Sequence, residues 1–182
     1  LHGSNEEQAM QAMWNHLLRW RGRWAEREYS EVVVVGGKYQ GVTMRQEVFF
    51  NWNKEGGSPE TLDNIVNYYL STVIAPKEYA GGGILVHETL DQVKEPRKAW
   101  GFSAGDVRRA PSLGYDAPIR SSGNLRTVDD TDVFNGALDR YNWEYKGLQE
   151  KLIPYNNFEI TSDQDTYDEV LDTRHLNADL MR

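Results

Sequence analysis

The 182-residue chain has no cysteine. That single absence removes thiol catalysis, disulfide cross-links and cysteine-based zinc sites together. It leaves the redox compartment open, because a chain without thiols tolerates oxidising and reducing surroundings alike. Histidine is scarce too, with only His2, His16, His87 and His175. None of them has HExxH or other ligand spacing, and "VHETL" puts His87 and Glu88 on opposite faces of a strand, which suits neither a zinc site nor a catalytic dyad. Long hydrophobic runs are missing as well: no stretch reaches the ~18 apolar residues of a membrane-spanning helix. So are the G-x-S-x-G elbow, the Walker glycine loop and the dinucleotide fingerprint. Acid/base pairs assembled in space need no such motif, so these absences argue against an enzyme without excluding one.

A basic excess is also lacking. The net charge is −8, and all of it lies after residue 127, since residues 1–127 hold 15 basic and 15 acidic side chains. A nucleic-acid binder needs a basic face for phosphate contacts. The nearest feature, Arg97 to Arg126, has six basic residues against Asp106 and Asp116. Beside the acidic stretch that follows, it reads as half of an internal charge match rather than a phosphate track. No nucleic-acid partner is expected.

What is present fits one domain, residues 1–182, long enough to bury roughly 70% of its unfolded surface. Charged residues make up 26% and hydrophobic ones 39%, the balance of an ordinary folded chain. Ser4 and Glu7 have capping-box spacing, and Met10, Met13, Leu17 and Trp20 recur at helical intervals, with Trp14 and Leu18 widening the same face. Gly22 is the expected stop.

The period then changes from 3.6 to 2. "EVVVVGGKYQGVTMRQEVFFNW" predicts a hairpin with strand Val32–Val35, a turn at Gly36-Gly37 and a long return strand. Met44, Phe50 and Trp52 share one face of that return; Thr43, Arg45, Glu47 and Asn51 take the other. A strand is expected from about Asn64 to Pro76, although Leu62, Ile65 and Tyr69 also fit a helix. "GGILVHETL" reads as a strand, followed by a pair, "RKAWGFS" and "DVRRA", joined at Ala104-Gly105. Residues 111–123 read as a surface loop. Tyr141, Trp143 and Tyr145 alternate as a strand, with 148–153 continuing it. Short strands joined by tight turns predict a mainly β (α+β) fold with a curved antiparallel sheet.

The most charged part of this pattern is "LRTVDDTDVFNGALDRYNWEY", residues 125–145. As an EF-hand it fails, because Phe134 and Asn135 stand where a ligand and the glycine belong. "DQDTYDEVLD" fails likewise at Tyr167 and Asp168. A structural clamp is expected instead, with Asp129, Asp130 and Asp132 in a cap opened by Thr127 or paired with Arg126 and Arg140.

The same stretch carries a resemblance. "MWNHLLRWRG" at 13–22, "ILVHETLDQVKEPRKAW" at 84–100, "VRRAPSLGYD" at 107–116, "GNLRTVDDTDVFNGALDRYNW" at 123–143 and "IPYNNF" at 153–158 occur in this order. Together they resemble a Gram-negative family of secreted proteins of unknown function (domain of unknown function 1329), related in fold to the lipoprotein-sorting proteins LolA and LolB. The match covers nearly the whole chain. It implies a periplasmic location and a LolA-like half-barrel with helices over its concave side, where the lipoprotein-sorting relatives take up acyl chains. It further implies that the chain is an internal fragment of a longer protein, without its export signal and closing strands. An unpaired edge would then favour an edge-strand or tail-swapped dimer.

The function expected from these readings is a non-enzymatic carrier or chaperone for a lipid, lipoprotein or other hydrophobic ligand, working with an envelope transport system and no cofactor. Met44, Phe50 and Trp52, with Trp100 and Phe102, are the candidate ligand-facing surface beneath the helix. The alternatives are a structural or interaction module with a filled core and, less favoured, a hydrolase. No divalent-metal site is expected, since neither acidic cluster has ligand spacing. Calcium titration followed by calorimetry should give no saturable heat; a micromolar one-to-one isotherm would contradict this reading.

Overall fold

Ser4 opens the first element. Its hydroxyl accepts from Glu7 N at 3.2 Å while the Glu7 carboxylate accepts from Ser4 N at 2.7 Å, closing the capping box of α1 (Asn5–Leu17). Donation to the Glu7 carboxyl from the Ser4 backbone N–H, and after it from the Ser4 hydroxyl, holds that carboxyl below its ordinary value. The computed structural model describes residues 1–92, 94–103, 105–110, 117–118, 127–130, 134–155 and 177–181. The helix ends at Leu17, not at Gly22: Leu18 leaves helical geometry while its N–H still bonds Trp14 O at 3.0 Å. Trp20 therefore falls off the helical face that its spacing suggested and is 71% exposed. Ala9 is the buried residue of α1.

Six strands follow in a simple antiparallel meander, each paired with the next: β1 (Trp24–Val35), β2 (Lys38–Phe50), β3 (Ile65–Ala75), β4 (Gly83–Thr89), β5 (Lys98–Ser103) and β6 (Asp106–Arg109). Among the described residues the sheet is open, with β1 and β6 at its edges. The hairpin turn falls at Gly36-Gly37, both at positive φ, and Val35 pairs with Lys38. The strand before it begins eight residues earlier than the apolar run suggested. Residues 24–31 mix Trp, Glu, Arg and Tyr, which suits an edge strand with water on one side. Asp63 and Asn64 take positive φ before β3, and the Asn64 side chain both donates to Asp91 O and accepts from Asp91 N, each at 2.7 Å. Those two bonds fix where β3 and β4 begin and end, and resolve the helix-or-strand ambiguity of residues 62–70 in favour of a strand.

Register assigns the faces. Cross-strand partners share a face, so Ala25, Val48, Tyr69, Val86 and Ala99 form one row and Arg27, Gln46, Ser71 and Ile84 the next. This is the inner face. The outer face carries a ring ladder of Phe49, Tyr68, His87 and Trp100, with successive centroids 6.2, 4.7 and 4.8 Å apart. Burial, and after it Lys98, lowers the His87 pKa below its ordinary value. Gly83 is required where β4 passes β3 and β5, because a Cβ there would lie 2.1 Å from Ser71 O and 2.6 Å from the Phe102 ring.

Tyr141, Trp143 and Tyr145 do not form a strand, since residues 142–150 have no regular structure. Their alternation serves ring packing instead, with Tyr141 and Trp143 each edge-on to Phe134. A strand resumes only at β7 (Lys151–Tyr155), which pairs with β8 (Asn177–Met181) in a separate two-stranded sheet. Most of the loop at 111–123, and the acidic stretch after Ile160 up to β8, lie outside the described residues. Among the described residues no helix is long and apolar enough to cross a membrane.

Leu62 is 1% exposed beneath the start of β3, with its carbonyl bonded by Asn51 Nδ2 at 3.1 Å, whereas Leu148 is 90% exposed. Leu62→Ala should cost about 2–5 kcal/mol in chemical denaturation, and Leu148→Ala within about 0.5 kcal/mol of nothing. Equal effects would contradict this placement of the core.

Candidate functional site: a hollow on the inner face

The inner face of the sheet is not packed solid. Between it, the end of α1 and the described parts of residues 127–136 lies a cavity of about 600 Å³, inside the range of small-molecule sites. Its wall comes largely from alternate residues of five strands, as period 2 requires. Met44 and Val48 come from β2, Ile84 and Val86 from β4, and Ala99 from β5. β3 contributes both Val66 and Asn67, because a register shift between Ile65 and Asn67 brings two adjacent residues to the same side. His16 and Leu17 cover part of the opening from the helix end.

Two polar systems are set into this wall. The first crosses three strands: Arg27 Nε donates to Gln46 Oε1 at 2.7 Å, and Gln46 Nε2 donates to Ser71 Oγ at 3.1 Å. The second is an ion pair, Arg97 Nη2 to Glu88 Oε1 at 3.2 Å, with side chains 2% and 3% exposed. Asn135 joins both partners, accepting from Arg97 Nη2 at 3.2 Å through its carbonyl and donating to Glu88 Oε2 at 3.0 Å through its side chain. Burial, with the Glu88 charge second, pushes the Tyr69 phenol well above its ordinary value. Tyr69 therefore keeps its proton and presents a neutral hydroxyl to the hollow.

The segment that closes the hollow is held from within by Asp129, 6% exposed. Its carboxylate accepts from Tyr141 Oη and Thr127 Oγ1, and its carbonyl accepts from Asn135 N at 2.8 Å. Asp130 Oδ2 accepts from Thr127 N at 3.1 Å at the start of the 3-10 turn Val128–Asp130. Gly136 is needed beneath, since a Cβ would meet Asp129 Cβ at 2.9 Å and the Phe134 ring at 3.0 Å. The side-chain partners found on Asp129 are thus the hydroxyls of Thr127 and Tyr141, where arginines were expected. Arg140 is exposed in the 3-10 turn Leu138–Arg140. Arg126 and Asp132 lie outside the described residues.

The five residues expected to face a ligand do not come together. Met44 lines the hollow. Phe50 is buried on the same face but is capped by the Arg21 guanidinium 4.6 Å above its ring. Trp52 is half-buried beyond the strand, because the chain turns into the 3-10 segment Asn51–Asn53. Trp100 pairs with Leu85 and Phe102 with Gly83 in register, which puts both on the outer face. Their parity was read correctly within the strand; the register to β4 decided which side it faced. The residues that reading overlooked are Arg27, Gln46, Tyr69, Glu88 and Arg97. The available signal was Glu88 sharing parity with Val86 and Leu90, a charge on an otherwise apolar face.

Among the described residues no group of three or more acidic or histidine side chains could hold a metal ion. A family described as "Protein of unknown function (DUF1329)" matches residues 5–182. An uncharacterized protein of Pseudomonas aeruginosa is 40% identical over 179 residues, covering 97% of this chain and 39% of that protein. The chain thus spans about two fifths of the length of that relative. No solved structure matches it. The chain belongs to the DUF1329 family.

Breaking the buried ion pair from one side leaves a charge without compensation. Arg97→Met alone should cost about 3–5 kcal/mol. Adding Glu88→Leu should recover most of it, since a buried pair is replaceable by apolar side chains. Equal stability of Arg97→Met and the parent in urea denaturation would contradict this role.

Proposed function

We propose that this DUF1329 member is a non-enzymatic carrier that holds a hydrophobic ligand, a lipid or the acyl part of a lipoprotein, in the hollow on the inner face of its sheet. The observation that carries the reading is the cavity of about 600 Å³. A sheet face that had only to fold would be packed to the density of a protein interior, because an empty wall forfeits dispersion contacts. Val48, Ile84, Val86 and Ala99 form an aliphatic floor between the polar groups, with Met44 as an adaptable contact, and that suits chains of variable shape. The Glu88 carboxylate is held by Arg97 and Asn135, which favours structural service over acid/base work.

In the same reading the protein works in the periplasm with an envelope transport system, and its sheet is a LolA-like half-barrel. The open edges at β1 and β6 support pairing, either with further strands of a longer chain or with a second copy. Light scattering separates these arrangements: a strict monomer at full native length would sink the second-copy version.

The test of the carrier reading uses N-phenyl-1-naphthylamine, a neutral apolar fluorophore, with the protein at its full native length. A saturable rise in fluorescence is expected, and Ala99→Phe, which fills the hollow, should weaken it. Met44→Ala should cost less than the roughly 2–5 kcal/mol of a close-packed site, since one side of Met44 faces open space. A full-sized loss at Met44 together with no fluorophore binding would favour the module with a filled core.

A further inference from the structure

The chain carries a net charge of −8, yet the charges around the hollow run the other way. Arg19, Arg21, Arg27 and Arg97 line it against Glu31 and Glu88, and the Glu88–Arg97 pair neutralises itself. Beyond that pair, Arg19, Arg21 and Arg27 line the hollow together with Glu31. A cleft with apolar walls concentrates such a field rather than spreading it into water.

Arg27 is the guanidinium whose surroundings fit a ligand. Its Nε is fixed by Gln46 at 2.7 Å, and Gln46 is fixed in turn by Ser71 at 3.1 Å, so its plane is set from two strands away. Its Cζ stands 5.5 Å from the Tyr29 ring centroid. Among the described residues these are its partners, and neither is a carboxylate. Arg45, on the opposite face of the neighbouring strand, has Glu26 at 2.6 Å and Glu47 at 3.7 Å. The outer arginine is thus neutralised by its neighbours, while the inner one keeps two Nη groups for an acceptor arriving at the hollow. A guanidinium held in this way presents a fork that matches a carboxylate or phosphate.

We propose that the hollow selects anionic amphiphiles, an apolar chain with one carboxylate or phosphate head, and that Arg27 anchors the head at the β1–β2 rim. The chain lies along Val48 and Val86 toward the Glu88–Arg97 pair, which closes the far end. From the row of Ser71 to that of Asn67 is four residues of strand, roughly 13 Å, room for a medium-length alkyl chain. This inference rests on the carrier reading and narrows it to one ligand class.

Displacement of bound N-phenyl-1-naphthylamine separates the two. Dodecanoate, dodecyl phosphate and dodecanol are compared below their micellar concentrations. At least one anion should displace the fluorophore at a concentration about tenfold or more below that of dodecanol, as a charge-assisted hydrogen bond allows. The preference should shrink with added salt, because Arg27 is exposed. Whichever anion wins identifies the head group as carboxylate or phosphate. Arg27→Gln should abolish the preference and leave dodecanol displacement unchanged, and Arg27→Lys should restore part of it. Equal displacement by dodecanol, or a preference that survives in Arg27→Gln, overturns the anion proposal while the carrier reading stands. Failure of the fluorophore itself to bind overturns both.

Discussion

A carboxylate and a guanidinium, both almost completely buried, face each other at 3.2 Å between β4 and the residue just before β5. Neither could be taken out of water alone, because the desolvation of a lone buried ion exceeds what a folded domain can spare. Glu88 and Arg97 need one another, and both need Asn135, which bonds to each. Asn135 belongs to the segment that covers the hollow, and its N–H is tied to Asp129. The cover is therefore fastened to the sheet by the same bonds that make the charge pair tolerable. An apolar contact at that point could slide; a pair with directional bonds cannot, which fixes one position for Phe134 and Gly136 over the cavity.

The two faces of the sheet meet different demands. Outside, Phe49, Tyr68, His87 and Trp100 stack across four strands, while Arg45 and its two glutamates sit in water. These are cross-strand contacts that hold a sheet together without a second layer. Inside, the same strands present smaller aliphatic side chains, interrupted by Arg27, Gln46, Ser71 and Tyr69. A face meant only for packing would not carry so many polar groups, each of which must be hydrogen-bonded or wetted. Apolar walls, spare hydrogen-bonding capacity and open volume together are what a bound amphiphile would use.

Much of the fold was legible in the sequence because it follows from local rules. The capping box at Ser4 and Glu7, the Gly36-Gly37 hairpin and the pairing of "RKAWGFS" with "DVRRA" need only neighbours to form. The site was less legible, for three physical reasons. Period 2 says which residues of one strand share a face, but only register says which face of the sheet that is, and so Trp100 and Phe102 came out on the far side. A face that lines a hollow mixes polar with apolar residues, so the part of β1 that holds Arg27 and Tyr29 lacks the pattern of a buried strand. Aromatic alternation in residues 141–145 has a second solution, a ring cluster around Phe134, and the chain takes it. The charged loop meets the sheet through Arg97 and Glu88, 38 and 47 residues before Asn135, a distance no local pattern spans.

The account depends on the hollow being space for a ligand rather than a gap in a core. Native mass spectrometry of the full-length protein, purified from its own host without detergent, addresses that directly. The account predicts a second charge-state series heavier than the bare polypeptide by one small amphiphile. That series should collapse to the bare mass on collisional activation and should be absent when Ala99→Phe fills the cavity. A bare mass alone, from a protein whose inner face is closed by its own side chains at full length, would contradict it.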